Sequence, residues 1–411
     1  MERAPAPLRV LLGAFGDPGH AFPMIALGRA LSARGHDVTL QTWRRWEQHV
    51  EAEGMRFAPA PEYQVFPQGP EPLDFYEAVV HAARDTLPLM RELAPDVAVA
   101  DILTLAPALA AELEGVPCAT LIPHLYPHGE PQYPIYSLGA RAARTRAGES
   151  MWRLAQGVVR RGLERGRREL NETRARLRLP PQAHVHGGIS RQLALVSTFP
   201  QLEYPRRWPA HVHVVGPLMW EPPAADVELP PGDDPLVLVA PSTAQDAEHR
   251  LLLAALRGLA GERVRVLATW NRRLPPTPLP VPENARVVEW VSYSRTMPRC
   301  DVVVCHAGSG TLARALASGC AVVATPAAGD MNENAARLDW AGVGVRLPRR
   351  FVSARGVRLA VERALADPSI RARARELASW CAGHDAGATA AGLVEELAMR
   401  GAQRPLEAAR G

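Results

Sequence analysis

Short apolar runs recur along this chain, and each is followed by a turn and then by a segment of helical period. Residues 8–14 (LRVLLGA) form the first run; residues 37–42, 97–100, 118–122, 193–197 and 213–216 continue the series. Runs this short and this apolar suit strands buried on both faces, the environment of a parallel sheet. Parallel neighbours need crossovers, and the helical segments at 22–34 and 104–114 supply two of them. The first ends at Gly35, where a helix terminus wants a left-handed residue. The alternation stops over residues 216–234 (GPLMWEPPAADVELPPGDD), which are rich in proline and acid and carry no period. It restarts at 236–240, 264–268, 286–288, 302–305 and 321–325. The pattern predicts an α/β chain of two doubly wound parallel-sheet domains in series. Ligands of such sheets sit in a crevice at the carboxyl ends of the strands.

Length agrees with two cores rather than one, since the chain has 411 residues and 47% of them are hydrophobic. All 47 basic residues are arginine, against 43 acids. A chain without lysine cannot use a Schiff base, a Walker lysine or a protein-kinase lysine. Arginine-only composition beside abundant Ala, Gly and Pro reads as coding bias, so the net charge of +4 does not call for a nucleic-acid partner. The cysteines (Cys118, Cys300, Cys305, Cys320 and Cys381) are odd in number and form no C-x-x-C pair, which disfavours a disulfide framework and a zinc site. No signal peptide or membrane-length apolar run is visible, so the expected setting is the cytoplasm, with reduced thiols and no stable membrane insertion. Residues 153–178 carry nine arginines interleaved with Leu154, Val158, Val159, Leu163 and Leu170. This reads as the solvated face of an amphipathic helix before a membrane-surface one.

Three strand-to-helix connections carry candidate chemistry. Residues 302–316 (VVVCHAGSGTLARAL) run from a strand through His306, Gly308, Ser309, Gly310 and Thr311 straight into a helix. The unpaired N–H groups and the dipole of a helix start favour phosphate there, with two glycines allowing close approach. Residues 13–23 (GAFGDPGHAFP) space their glycines G-x-x-G-x-x-G, which is not the dinucleotide fingerprint. They place His20 near a helix start, where the dipole disfavours imidazolium and keeps the ring a neutral base. Asp101, at the end of the run 97–100, is a candidate to orient that ring. The third connection, residues 325–334 (TPAAGDMNEN), crowds Asp330, Glu333 and Asn334 at a helix start, which suits a hydroxyl-rich ligand and equally suits ordinary first-turn residues.

Taken in order, GH-x-x-P, P-D-x-x-x-x-D, H-x-G-x-G-T and P-x-x-x-D-x-x-x-N resemble the glycosyltransferase family 1 enzymes of the two-Rossmann (GT-B) architecture. The likeness is closest to bacterial members that glycosylate natural products such as macrolides and flavonoid-like phenols. It covers nearly the whole chain and is thin between Met55 and Asp96. The resemblance implies an acceptor domain over 1–215, a linker over 216–234, and a donor domain over 235–375. Helices and a tail over 376–411 are then expected to pack back toward the first domain. It implies His20 as general base with Asp101 as its acid partner, and His306, Gly308, Ser309, Gly310, Thr311, Ser242 and Thr243 around the donor diphosphate. Trp290 and Val291 are implied beside the nucleobase, and Asp330 with Met331 beside the sugar. Phe66, Phe75, Tyr76, His124 and Tyr126, with Tyr133 and Tyr136, are candidates for an apolar acceptor pocket or for plain packing.

The implied reaction inverts the anomeric centre in one displacement, moving a sugar from a UDP- or dTDP-linked donor to a hydroxyl of a lipophilic small molecule. It needs no metal or other cofactor, because helix-start amides and His306 meet the leaving diphosphate. The expected assembly is a monomer or homodimer. The sequence departs from the family at Arg314, where a ribose-binding Glu is usual, at Met331, where Gln is usual, and at Pro241, where Gly is usual. Those departures favour a thymidine-linked or deoxygenated donor. Competing readings are an epimerase or hydrolase of nucleotide sugars on the same architecture, and a catalytically silent transferase-like activator. A nicotinamide oxidoreductase is disfavoured by the glycine spacing.

Overall fold

The computed structural model describes residues 6–61, 75–184, 188–242, 248–272, 274–275, 277–327 and 329–408. The front lobe runs β1 (Arg9–Gly13), α1 (Pro18–Ala33), β2 (Asp37–Thr42), α2 (Glu47–Ala52), β3 (Arg56–Pro59), α3 (Phe75–Leu93), β4 (Val97–Asp101), α4 (Leu105–Leu113), β5 (Cys118–Ile122), α5 (Arg146–Arg176), β6 (Ala194–Val196) and β7 (Val212–Val214). The back lobe runs β8 (Leu236–Ala240), α6 (Arg250–Gly258), β9 (Arg265–Thr269), β10 (Ala285–Val288), α7 (Tyr293–Thr296), β11 (Val302–Cys305), α8 (Ser309–Ala317), β12 (Ala321–Ala324), α9 (Asp330–Ala341), β13 (Gly344–Arg346), α10 (Ala354–Ala366) and α11 (Pro368–Ala382). The last helix is α12 (Ala386–Ala408).

Both sheets are parallel, ordered β3-β2-β1-β4-β5-β6-β7 and β10-β9-β8-β11-β12-β13. Strand direction of winding therefore reverses between β1 and β4 in front and between β8 and β11 behind. Loops leaving those strands in opposite directions open a crevice at each reversal.

Period-two alternation puts each strand in two cores at once. Val10 and Leu12 of β1 join one front cluster with α1 and α12, while Leu11 joins another with Met90 and Ala110. In β8, Leu236, Leu238 and Ala240 face α8 and α9, while Val237 and Val239 face α6 and α10. Each such fully buried Leu or Val contributes about 1.5–3 kcal/mol.

The chain crosses between lobes twice, and the crossings touch. Val215, Leu218 and Trp220 of the linker pack in the front core, whereas Val227 and Leu229 pack on the back core. α11 lies against α8, and α12 returns to α1 and β4. Between them His384 stacks on Trp380 and donates through Nε2 to the Val215 carbonyl at 2.9 Å. α12 is pinned by Glu395, which accepts from Arg34 and pairs with His36 at 2.7 Å. The sequence boundary at 375 falls inside α11, an unbroken helix packed on the back lobe; the return to the front lobe occurs after Gly383 instead.

Three elements differ from the sequence pattern. α1 begins at Pro18, not at 22, because Asp17 takes the N-cap position and proline suits the first helical position. β3 and β13 are short edge strands of four and three residues, each containing an arginine, so neither reads as a continuous apolar run. The arginine-rich segment is the 31-residue helix α5, buried only at Leu170, Thr173 and Arg174, with Leu154 and Val158 open to solvent. Among the described residues no helix is long and apolar enough to cross a membrane. All five cysteines are free thiols.

Candidate active site

The front crevice holds a paired imidazole and carboxylate. His20 lies in the first turn of α1, and Asp101 is the last residue of β4, so both flank the reversal between β1 and β4. His20 Nδ1 is 2.8 Å from Asp101 Oδ1, and the other carboxylate oxygen accepts from the Phe15 N–H at 3.2 Å. Asp101 is almost fully buried, which leaves its charge to these partners. Burial works against a charged His20 ring, yet Asp101 through charge and hydrogen bond, with smaller help from Asp17 and Asp330, lifts its pKa above 6.5. The expected helix-start effect, a ring kept neutral, is therefore overturned by the carboxylate. Asp330, at the start of α9 in the back lobe, is the last and smallest of the charges that raise the His20 pKa.

Of the glycines beside the dyad, Gly13 and Gly16 serve packing, against Pro107 and Trp43, whereas a Cβ on Gly19 would meet open space. The Gly16 backbone runs flat against the Trp43 ring where a Cβ would collide, and its carbonyl accepts from Trp46 Nε1 at 2.7 Å and from Arg45.

The back crevice is built from backbone. β11 ends at Cys305, His306 follows, and Gly308 is the N-cap of α8, leaving the amides of Ser309, Gly310 and Thr311 in its first turn. The His306 ring folds over the turn; a methyl on Gly308 would lie 2.5 Å from His306 Nε2. Ala307 between them is buried with φ +66°, a left-handed conformation an alanine adopts only when its surroundings enforce it. The enforcement comes from Asn334 on α9, whose amide donates to the Ala307 carbonyl at 2.9 Å and to Ser309 Oγ at 3.1 Å. Asn334 thus braces the cradle and is not open to a ligand. Glu333 likewise turns inward, its Oε1 accepting from Arg337 Nε at 2.7 Å. Arg337 also reaches the Leu202 carbonyl, Glu203 and the Tyr204 ring, tying α9 to the front lobe.

Ser242 stands buried at the carboxyl end of β8, and a cavity of about 30 Å³ between it, His306 and Thr325 is also lined by Arg250 and Arg349. Sequence reasoning missed both arginines, because they lie outside the strand-turn-helix motifs. It also missed Tyr293, which stacks on Trp290 and packs against the back core. Thr243 and Phe66 lie outside the described residues, as does the side chain of Phe75.

Several expected contacts take other forms. Trp290 is half-buried, stacked on Tyr293 with Arg272 over its ring. The Val291 side chain is spent in the back core, so only its backbone can meet a base. Met331 leans on the same core, while Asp330 starts α9. Tyr126 is packed among Ile122, Ile189 and Trp208 with Arg206 over its ring, which removes it from a pocket wall. Tyr133 stacks on Tyr204, and Tyr76 of α3 faces Gly166 of α5. Of the acceptor candidates, His124 neighbours the dyad, its ring centroid 6.4 Å from that of His20, and Tyr136 lies behind it at 6.3 Å from His124.

Arg314 is half-buried in a cavity of about 380 Å³ that also involves Arg29, Trp220, Glu221 and Ser292. Glu221 of the linker accepts from Ser292 Oγ at 2.7 Å and the Ser294 N–H at 3.0 Å. The cavity therefore joins both lobes at the linker. A larger one, about 580 Å³, lies at the sheet edge between β7 and α12, lined by Trp208, His213 and Leu393, and includes neither the His20–Asp101 pair nor the His306 turn. Among the described residues no cluster of three His, Cys, Asp or Glu side chains is arranged to hold a metal.

Comparison with known proteins bears on the family and the two-sheet fold. Residues 250–397 match the family model of the erythromycin biosynthesis protein CIII-like C-terminal domain. The 4'-demethylrebeccamycin synthase of Lentzea aerocolonigenes is 31% identical, over 95% of this chain and 99% of its own length. The O-mycaminosyltylonolide 6-deoxyallosyltransferase of Streptomyces fradiae is 28% identical over 95% and 98%. Among solved structures, the glycotransferase of kitacinnamycin superposes with a TM-score of 0.75 at 21% identity, over 96% of this chain and 100% of that one. VinC in complex with dTDP gives 0.69 at 20%, over 96% and 100%.

Proposed function

The chain belongs to the glycosyltransferases of antibiotic and natural-product biosynthesis, and from that premise we propose that it is an inverting, cytoplasmic enzyme using a dTDP-linked sugar and a lipophilic hydroxyl acceptor. The observation that carries this reading is the His20–Asp101 pair, held through Nδ1 at 2.8 Å where the front sheet reverses. His20 takes the proton from the acceptor hydroxyl as that oxygen bonds to the anomeric carbon. The bond from that carbon to the diphosphate oxygen breaks, and the electron pair leaves with the nucleoside diphosphate from the opposite face. Asp101 steadies the imidazolium so formed.

Negative charge grows on the departing oxygens. The α8 amides at Ser309–Thr311 and the His306 ring are assigned to meet it; the Asn334 brace on their turn supports that reading, since little reorganisation is then needed in the transition state. Ser242, Arg250 and Arg349 are assigned to the outer phosphates and Asp330 to the sugar hydroxyls. Trp290 is assigned to the base. A thymidine donor is favoured by Arg314, which stands where a carboxylate would accept from both ribose hydroxyls; a 2'-deoxyribose has only one to offer.

The experiment is transfer from α-linked dTDP-glucose and UDP-glucose to a panel of phenols and macrolide aglycones, with the product's anomeric centre read by NMR. The expected result is a β-linked product, faster from dTDP-glucose. An α-linked product removes the single displacement, and strong turnover from UDP-glucose with none from dTDP-glucose removes the donor assignment.

A further inference from the structure

Two histidines face the cleft from the front lobe, and both are held by the same ring nitrogen. His20 is held through Nδ1 by Asp101, and His124 through Nδ1 by the Leu125 carbonyl at 2.7 Å. A carbonyl only accepts, so His124 carries its proton on Nδ1 and its Nε2 is a bare lone pair. The Tyr136 hydroxyl, 3.2 Å from Nδ1, donates to that same carbonyl at 3.4 Å and leaves the tautomer unchanged. Burial is the largest influence on the His124 pKa and lowers it, against the Leu125 bond and the charges of Asp330 and Asp101, and the His20 charge lowers it further. The ring is therefore neutral where His20 is ready to become a cation. Among the described residues neither Nε2 has a hydrogen-bond partner, and neither is sealed from solvent.

The ring centroids are 6.4 Å apart with planes at 78°. With hydrogen bonds of about 2.8 Å on each side, donors on neighbouring atoms of one molecule bridge such a pair. The sugar already has Asp330 from the back lobe, so the front pair is left to the acceptor. We propose that His124 is a specificity-determining residue that accepts a hydrogen bond from a second hydroxyl beside the one glycosylated, selecting vicinal diols of the catechol type. The inference rests on the glycosyltransferase reading of the same cleft.

The test compares catechol, phenol and 2-methoxyphenol as acceptors with dTDP-glucose, in the wild type and in His124→Phe. Wild-type kcat/KM is expected to favour catechol by roughly tenfold or more, the scale of one buried hydrogen bond left unmade. In His124→Phe the preference falls to near unity while transfer to phenol persists. Equal use of the three by the wild type, or an unchanged preference in the variant, overturns the proposal. Nitrogen-15 NMR of the wild type keeps it decidable without the variant: Nδ1–H with bare Nε2 at neutral pH is expected, and a proton on Nε2 overturns it. Absence of transfer to any acceptor from any nucleotide sugar would instead strike the underlying reading.

Discussion

The reversal between β1 and β4 and the reversal between β8 and β11 occupy the same place in two like-ordered sheets, yet they offer different chemistry. In front, side chains act: His20 from α1 and Asp101 from β4 meet at 2.8 Å. Behind, backbone acts: a left-handed Ala307 and the bare Gly308 aim the first turn of α8, with Asn334 holding the turn. In the proposed reaction a proton is moved in front, which needs a titratable group with a tuned pKa. In the same proposal a diphosphate is held behind, which oriented amides do without titrating. One topology thus supplies position, and the residues at the strand ends supply function.

Removing each side's device separately should break the two halves of the reaction separately. His20→Ala is expected to have the largest effect, lowering kcat by roughly a hundredfold or more. Donor affinity by calorimetry should survive, since the cradle is untouched. Asp101→Asn comes next, with kcat down by roughly tenfold or more and a shift in its pH profile. Activity needs the unprotonated ring, so it rises with pH through the raised His20 pKa. Without the carboxylate, burial, which lowers that pKa, outweighs the smaller pull of Asp17 and Asp330, so the acidic limb should move to lower pH in the variant. Gly308→Ala should be smallest in kcat and visible in binding. Its methyl would lie 2.5 Å from His306 Nε2, and the displaced ring should cost roughly tenfold in donor Kd. The pH limb set by His20 should stay in place.

Much of the back lobe was legible because its strands are continuous apolar runs: residues 302–305 and 236–240 coincide with β11 and β8. The cradle was legible for the same reason, since strand, turn and helix are contiguous in the chain. The front site was less so. His20 and Asp101 are 81 residues apart, and only the fold brings them together. The sign of the His20 shift needed the buried carboxylate, which helix position alone does not reveal. Glu333 and Asn334 look like ligand groups in sequence, but helical spacing turns them inward toward Arg337 and Ala307. Tyr126 looks like a pocket aromatic, yet it is in the core because Arg206 and Trp208, far along the chain, close over it. His124 gave no motif at all; its ring is made informative by the carbonyl next to it.

The claim on which the rest depends is that the two lobes present one shared cleft. It is tested most directly by titrating the His20 ring by NMR in the wild type and in Asp330→Asn. Asp330 helps to raise the His20 pKa from the opposite lobe, so the variant should titrate at lower pH than the wild type. A His20 pKa unmoved by losing that carboxylate would mean that the imidazole and the sugar-side helix do not face each other.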